Sequence, residues 1–297
     1  MATIKRSSIF DSGLPIATVL LGVLLLWYAG AVWLNAPGAI ERVLGPRGTA
    51  WSWTELVQTT LSMQRPVLPS PQQVAVDFWS SLVDWPVDSP RNLLFHVAVT
   101  AQSSLLGFVM GTLLGLLLSA GIVHSRTLDR ALMPWIVASQ TIPVLAIAPI
   151  VLVILGSLGF SGVWPKAVIA MYLCFFPVTV AMVQGLRSPQ QIDTELLYTY
   201  AASRWQAFWL LRLPAALPFL FPALRVGIAA SLVGAMVAEL PTGAQAGLGA
   251  KLLLGSYYGN TVAIWSALLM SALLGLALTA AVLGLERLVL RRFGGRA

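Results

Sequence analysis

The sequence predicts an all-α membrane protein with six transmembrane helices, and two properties lead to this prediction. Hydrophobic residues make up 58% of the 297 residues and charged residues only 10%. A soluble domain has roughly 45–50% apolar and about 25% charged residues, so the excess apolar surface must face lipid. Runs of about 20 apolar residues, enough to cross roughly 30 Å of hydrocarbon, occur six times. They cover about 14–35, 97–123, 134–156, 163–186, 217–240 and 261–285.

The first apolar run follows Lys5 and Arg6 and could be taken for a secretory signal with a cleavage site at Ala29-Gly30-Ala31. Its length, from Leu14 to Leu34, exceeds the roughly 7–15 residues of a signal core. We therefore expect an uncleaved first transmembrane helix within an N-terminal segment of residues 1–36.

The distribution of basic residues predicts the orientation in the membrane. With the N-terminus inside, the cytoplasmic segments collect Lys5, Arg6, Arg126, Arg130, Arg187, Arg204, Arg212, Arg287, Arg291, Arg292 and Arg296. The outer segments then hold Arg42, Arg47, Arg65, Arg91, Lys166 and Lys251. The positive-inside rule places both termini in the cytoplasm. The net charge of +7 is expected to face the lipid bilayer, and it needs no nucleic acid as a partner.

Residues 37–92 are predicted to form one extracytoplasmic segment with an amphipathic helix over about 72–83. Ser70 before Pro71 is a typical helix start, because proline is favoured in the first turn. Two interpretations remain open for this segment: a surface loop with an interfacial helix, or a docking or gating element.

Residues 93–290 are predicted to form a five-helix core, followed by a basic tail of residues 291–297. Small residues recur every four positions in the second span, which indicates close helix packing. They are Gly107, Gly111, Gly115 and Ser119. In the fifth span Pro214, Pro218 and Pro222 show the same spacing and should bend or loosen that helix. Cys174 is expected to be a small buried apolar side chain.

The cytoplasmic connection over residues 187–217 is polar enough to lie outside the hydrocarbon, yet it contains large apolar side chains. We expect two short helices that turn about Ala201-Ala202-Ser203. The run from Glu195 to Pro214 resembles the EAA loop of permease subunits of ATP-binding-cassette (ABC) importers. Glu195 matches the acid, Leu196 and Leu197 replace two alanines, and Ala201 stands where glycine is usual, while Ala202, Ser203, Phe208, Leu213 and Pro214 fit the pattern.

The resemblance extends over roughly residues 66–290 and points to the nitrate, sulfonate, taurine and pyrimidine-precursor branch of these permeases. It rests on Leu68-Pro69-Ser70-Pro71, residues 96–107, and the run Val233-Gly234-Ala235-Met236-Val237-Ala238-Glu239. It implies a type I ABC importer permease architecture in a bacterial inner membrane. It also implies a second permease copy, two cytoplasmic ATP-binding subunits and an extracytoplasmic solute-binding protein.

In such importers the EAA loop forms a coupling helix that seats in a groove of the ATPase. The resemblance assigns this contact to Glu195, Ala201, Ala202, Ser203, Arg204, Phe208 and Pro214. Glu195 and Arg204 would be polar contacts, and Phe208 an apolar plug in the ATPase. The alternative is that Phe208, Trp209 and Leu213 pack beneath the permease's own helices.

The chain itself is not expected to be an enzyme or to hold a cofactor. It lacks the Gly-x4-Gly-Lys-Ser/Thr phosphate loop, because Lys251 stands between Ala250 and Leu252 and the other lysines are Lys5 and Lys166. ATP would therefore be bound by the partner ATPase. His96 and His124 lie about 42 Å apart at helical rise, so they do not form a catalytic pair.

Polar residues within the spans are candidates for the translocation pathway or its gate: Ser139, Gln140, Thr141, Met236 and Glu239. Residues 139–141, followed by Pro143, would form a kinked polar patch that either lines a cavity or joins helices. Glu239 would either face the pathway or cap an outer gate through backbone donors. Arg225 lies about 21 Å from Glu239 along the helix, so each needs another partner.

A self-contained secondary transporter or channel is the alternative function, but no internal repeat relates the two halves of the chain. The solute stays open among pyrimidine-like precursors, sulfonates and nitrate. The stretch over residues 241–249, with 255–259, is more similar to pyrimidine-precursor permeases. A homodimer is expected because one six-helix chain encloses too little space for a gated pathway.

Overall fold

The computed structural model describes residues 9–48, 50–240 and 246–292, and within these ranges the chain is helical with no β-strand. Residues 241–245 and most of the basic tail, both used above, lie outside the described residues. The helices are α1 (Ile9–Ala39), α2 (Trp53–Leu61), α3 (Pro71–Val83), α4 (Leu93–His124), α5 (Arg126–Ser139), α6 (Val144–Ser157), α7 (Val163–Leu186), α8 (Gln191–Thr199), α9 (Arg204–Ala207), α10 (Leu213–Ala238), α11 (Leu248–Tyr257) and α12 (Thr261–Arg292). A π-turn joins α9 to α10, so Arg204–Ala238 is one continuous helix of 35 residues.

Five helical stretches are long and apolar enough to cross a membrane, which confirms the predicted all-α membrane fold. They are Leu14–Arg47, Leu93–His124, Val163–Leu186, Arg204–Ala238 and Thr261–Val289. The remaining predicted span, over 134–156, is not one helix: α5 and α6 are bent by 104° at the break between them. Pro143 explains the break, because it keeps Ile142 out of helical conformation and itself has ψ of 120°.

Contacts divide the chain into two compact units. The first comprises residues 1–86 and 252–268. Within it the end of α1 and the turn that follows pack on α2 through Ala39, Leu44 and Leu56, which are buried together. The predicted helix start at Ser70 is confirmed, since Ser70 Oγ accepts a hydrogen bond from the Gln73 amide at 3.3 Å. Helix α2 was not predicted, although Ser52 and Glu55 have the spacing of a capping box and form one.

The second unit comprises residues 87–251 and 269–297, and its centre is a three-helix core of α4, α7 and α10. A Cβ added to Gly107 would lie 2.3 Å from Ala170 Cβ, and one added to Gly111 would lie 2.7 Å from Cys174 Cβ. A Cβ on Gly234 of α10 would lie 2.8 Å from Cα of the same Ala170. Helix α7 therefore packs closely on glycines of both α4 and α10, and the four-residue spacing predicted this close packing for α4.

The proline repeat lies at the start of α10, directly after the π-turn Phe208–Arg212. Pro214 has no N–H to donate to the carbonyl of Leu210, which an α-helix would require. The predicted loosening of this helix is thus present as the π-turn at residues 208–212, and the helix is not broken there.

Candidate functional site

The candidate coupling segment, residues 187–217, contains α8, a tight turn and the start of the continuous helix Arg204–Ala238. The expected pair of short helices is only half present, because the second one runs on without interruption into α10. Ser203 begins it with a capping box, in which its Oγ accepts from the Gln206 amide at 3.2 Å and its amide donates to Gln206 Oε1 at 2.8 Å.

The turn between α8 and the continuous helix lies where the sequence predicted it. Ala201 has φ of +54°, the left-handed conformation for which glycine is favoured. Its amide donates to the Tyr198 carbonyl at 2.9 Å, and the Ala202 amide donates to the Leu197 carbonyl at 3.1 Å. These two bonds form a Schellman cap, so the backbone at Ala201 requires positive φ even without glycine.

Large apolar and aromatic side chains of this segment are exposed. Their exposed fractions are 67% for Ile192, 56% for Leu196, 84% for Tyr198, 78% for Tyr200, 65% for Trp205, 50% for Trp209 and 69% for Leu210. Glu195 is exposed and accepts a hydrogen bond from Gln191 Nε2 at 2.8 Å. Arg204 is also exposed, and it lines a small cavity of about 210 Å³ with His124 and Arg212.

Phe208 is placed differently from the apolar plug that was expected. Its side chain is only 9% exposed and belongs to the cluster that contains Met182 and Leu186 of α7. Its ring centroid lies 5.1 Å from that of His124. Phe208 therefore packs on the chain's own helices, and Trp205 and Trp209 present the exposed rings. Pro214 is exposed behind the π-turn.

The polar patch of the third predicted span lies at the bend between α5 and α6. The hydroxyls of Ser139 and Thr141 donate to the carbonyls of Ile136 and Ala138 at 2.7 Å each. The Tyr172 hydroxyl donates to the Ser139 carbonyl, which ties the bend to α7. Gln140 and Thr141 are exposed in this chain.

Glu239, directly after α10, is fully buried. Its carboxylate accepts hydrogen bonds from Thr100 Oγ1 at 3.0 Å and the Gly249 amide at 2.9 Å, and it pairs with Lys166 Nζ at 3.5 Å. Three donors thus compensate for the loss of water around one buried charge. Glu239 caps the first turn of α11 through a backbone donor, while its role in a gate or pathway stays a prediction.

Residues around Glu239 complete what we call the Glu239 cluster: Glu239, Thr100, Lys166, His96, Gly247 and Gly249. A Cβ on Gly247 would lie 2.1 Å from Glu239 Cδ, and its φ is +123°, so only glycine fits. The Gly247 amide donates to His96 Nδ1 at 3.0 Å, and His96 Nε2 lies 2.8 Å from the Pro90 carbonyl. Both contacts together require the neutral Nε2–H tautomer.

The expectation that Glu239 and Arg225 have separate partners is confirmed. Arg225 Nη2 lies 3.4 Å from Glu286 Oε1 on α12, while Glu239 pairs with Lys166. Met236, one turn before Glu239, is half-buried, and a Cβ on Gly249 would lie 2.3 Å from its carbonyl oxygen. Within the described ranges no group of three or more His, Cys, Asp or Glu side chains is arranged to hold a metal ion.

Residues 107–295 match the family described as the inner membrane component of binding-protein-dependent transport systems. The chain belongs to this family. The matched range contains the whole candidate coupling segment, the bend at residues 139–143, and Lys166, Glu239 and Gly249 of the Glu239 cluster. Thr100 and His96 precede it.

Among similar proteins, a formylaminopyrimidine transport permease protein of Halalkalibacterium halodurans is 33% identical over 227 residues, 75% of this chain and 85% of that protein. A riboflavin transport system permease protein of Chloroflexus aurantiacus is 34% identical over 225 residues, 76% of this chain and 80% of that protein. A taurine transport system permease protein of Escherichia coli is 28% identical over 207 residues, 68% of this chain and 70% of that protein. The predicted branch of ABC importer permeases is thereby confirmed.

Sequence reasoning missed most partners of Glu239 in this permease. Lys166 was assigned only to an outer segment, and Thr100, Gly247 and Gly249 have no spacing that links them to residue 239. The signal that did exist was the buried charge itself, because a carboxylate at the end of an apolar helix requires nearby donors.

Proposed function

We propose that this chain forms the translocation pathway of an ATP-driven importer and is moved by a separate ATPase through residues 193–214. The observation that carries this proposal is the exposure of large apolar side chains on a segment that is continuous with a transmembrane helix. Burial of such side chains against a partner removes apolar surface from water and thereby lowers the free energy of the complex. A small polar solute would reach the pathway from an extracytoplasmic binding protein.

The roles of individual residues follow from their placement. Glu195 and Arg204 are exposed and supply polar contacts to the ATPase. Ala201, Ala202 and Ser203 form the turn, and their small side chains let the ATPase approach the backbone closely. Phe208 anchors the segment on the transmembrane helices, and Pro214 permits the wider turn at the start of α10. Trp205 and Trp209 add the apolar contact area, since aromatic residues dominate the binding energy of many interfaces.

A charge at the turn tests this contact. Ala202→Asp is expected to reduce ATP-dependent uptake in proteoliposomes by roughly tenfold or more and to weaken copurification of the ATPase. The matched control is Thr127→Asp, which adds the same charge at an exposed position of α5. Uptake at the wild-type level with Ala202→Asp would contradict the docking role.

Two copies of the chain with two ATPases complete the proposed importer. In this arrangement both termini are cytoplasmic, the protein lies in the inner membrane, and Ser139, Gln140 and Thr141 line the pathway near the two-fold axis. The exposure of Gln140 and Thr141 in one chain supports this placement. Met236 and Glu239 hold the outer gate, because Glu239 joins the end of α10 to the start of α11.

The solute is proposed to be a nitrogen heterocycle. Two relatives with 33% and 34% identity carry names for formylaminopyrimidine and riboflavin transport, whereas the taurine relative is 28% identical. The test is to identify the small molecule retained by the binding protein that copurifies with the permease. A sulfonate or nitrate in its pocket would overturn this assignment and leave the importer function intact.

A secondary transporter is the competing function, and ATP separates the two. Proteoliposomes that contain only the permease should show no uptake, whereas proteoliposomes with the ATPase should take up solute when ATP is added. ATP-independent accumulation driven by an ion gradient would support the secondary transporter.

A further inference from the structure

Three arginines of the first compact unit, Arg42, Arg47 and Arg65, line one cavity of about 420 Å³. Arg42 belongs to a second π-turn, Ile40–Leu44, which follows α1, and Arg47 ends the short 3₁₀ turn Gly45–Arg47 after it. Arg65 follows α2. The hydroxyl-bearing side chains of Thr59 and Ser62 line the same cavity.

Buried neighbours fix the backbone on both sides of this cavity. Leu44 and Leu56, which are 2% and 3% exposed, pack the π-turn against α2. Asn35, which is 1% exposed, accepts a hydrogen bond from the Val67 amide at 2.7 Å and donates to the Leu68 carbonyl at 2.8 Å. The three arginines therefore project from a fixed frame, which lowers the entropy cost of binding a ligand.

The cavity carries the positive charge of three guanidinium groups. Among the described residues, no carboxylate lies within 4.0 Å of the guanidinium groups of Arg42, Arg47 or Arg65. Guanidinium groups bind phosphate oxygens through paired hydrogen bonds. The ligand chemistry that fits this cavity is therefore a phosphate with at least one negative charge.

The surroundings indicate that this phosphate belongs to a lipid. The span Leu14–Arg47, which carries Arg42 and Arg47, is the least buried of the five, because only 6% of its most apolar stretch is buried within the protein. Trp33, Trp51 and Trp53 are 81%, 40% and 76% exposed in the same unit. Tryptophan at the surface of a membrane protein concentrates at headgroup level, where phosphates lie.

We propose that Arg42, Arg47 and Arg65 form a binding site for the phosphate of a phospholipid headgroup. The lipid would hold the end of the first span and the loop after α2 at the membrane surface. This site does not depend on ATP, on the coupling segment or on the orientation of the chain.

The test uses the full-length permease, purified alone in detergent and titrated with phosphatidylglycerol under native mass spectrometry. The triple variant Arg42→Gln, Arg47→Gln, Arg65→Gln is expected to bind the first lipid about tenfold more weakly, because several charge-assisted bonds are lost. The control variant Arg126→Gln, Arg287→Gln, Arg291→Gln removes the same charge elsewhere and should keep that lipid. Thermal midpoints close to wild type confirm that both variants are folded.

Equal loss in both variants would show general attraction of anionic lipid and would overturn the site. Inorganic phosphate provides the second arm: millimolar phosphate should not displace the lipid, and displacement would assign the cavity to free phosphate. If the Arg42, Arg47 and Arg65 triple variant binds lipid like the wild type but loses ATP-dependent uptake, the lipid assignment is overturned in favour of an acidic protein surface.

Discussion

The three-helix core and the candidate coupling segment treat side-chain size in opposite ways. Where α7 meets α4 and α10, glycine and alanine let backbones approach so closely that one added carbon would collide. In the coupling segment, Tyr198, Trp205 and Leu210 are each at least 65% exposed. The core is packed tightly against itself, whereas the segment keeps its largest side chains exposed. Four substitutions test this contrast.

The largest effect is expected in the Glu239 cluster. Glu239→Ala leaves Lys166, Thr100 and the Gly249 amide without their shared acceptor and should lower the free energy of unfolding by about 3–5 kcal/mol. Thermal unfolding in detergent measures this loss. Glu286→Ala is the comparison, because Glu286 makes a single contact of 3.4 Å with Arg225, which is 36% exposed, and should cost less. Equal, small losses in both variants would remove the distinction between a fully buried cluster with several donors and a single ion pair.

The core should respond nearly as strongly to added volume. Gly111→Leu inserts a side chain where a Cβ alone would lie 2.7 Å from Cys174 Cβ, and a loss of about 1–3 kcal/mol or more is expected. Gly22→Leu is the matched control, since nothing lies within 4 Å of a Cβ there. The yield of monodisperse protein after extraction is the measurement. A tolerated Gly111→Leu would show that α4 and α7 separate easily.

The turn of the coupling segment should gain stability from a smaller residue. Ala201→Gly removes the strain of a Cβ at φ of +54° and should raise the free energy of unfolding by about 1 kcal/mol. Ala202→Gly serves as the comparison, because Ala202 lacks positive φ and should gain nothing. A destabilised Ala201→Gly variant would mean that the left-handed turn is absent in solution.

The smallest effect is expected at the ion pair between Arg187 and Asp129, which are 46% and 32% exposed with their side-chain atoms 2.8 Å apart. Asp129→Asn should cost about 1 kcal/mol or less. The cost should shrink further in high salt, because exposed charges are screened. A thermal midpoint measured at low and at high salt checks both statements.

The elements that the sequence predicted well are those with a local cause. Apolar runs predicted the spans, Ser70-Pro71 predicted the start of α3, and the four-residue glycine spacing predicted the helix contact. The turn at residues 201–203 was also placed correctly, although the chain lacks the glycine that usually marks it. Each of these depends on residues close together in the chain.

The features that were missed depend on distant residues or on competing local signals. Thr100 lies 139 residues from Glu239, and nothing in the sequence pairs them. The run over 134–156 is apolar enough for one span, and its composition conceals the 104° bend at Pro143. Phe208 was expected to face a partner because it fits the EAA-loop pattern, but its burial depends on where α7 and His124 lie in three dimensions.

The turn at Ala201–Ser203 and the Glu239 cluster lie at the two ends of one uninterrupted helix, Arg204–Ala238. At 1.5 Å per residue the helix is about 50 Å long, so a tilt of one degree about one end displaces the other by about 0.9 Å. Hydrogen bonds at Glu239 are only 2.9–3.0 Å long and lengthen beyond use within a few such degrees. In the importer proposed above, a pull of the ATPase on the turn would therefore strain these hydrogen bonds at the opposite end of the helix.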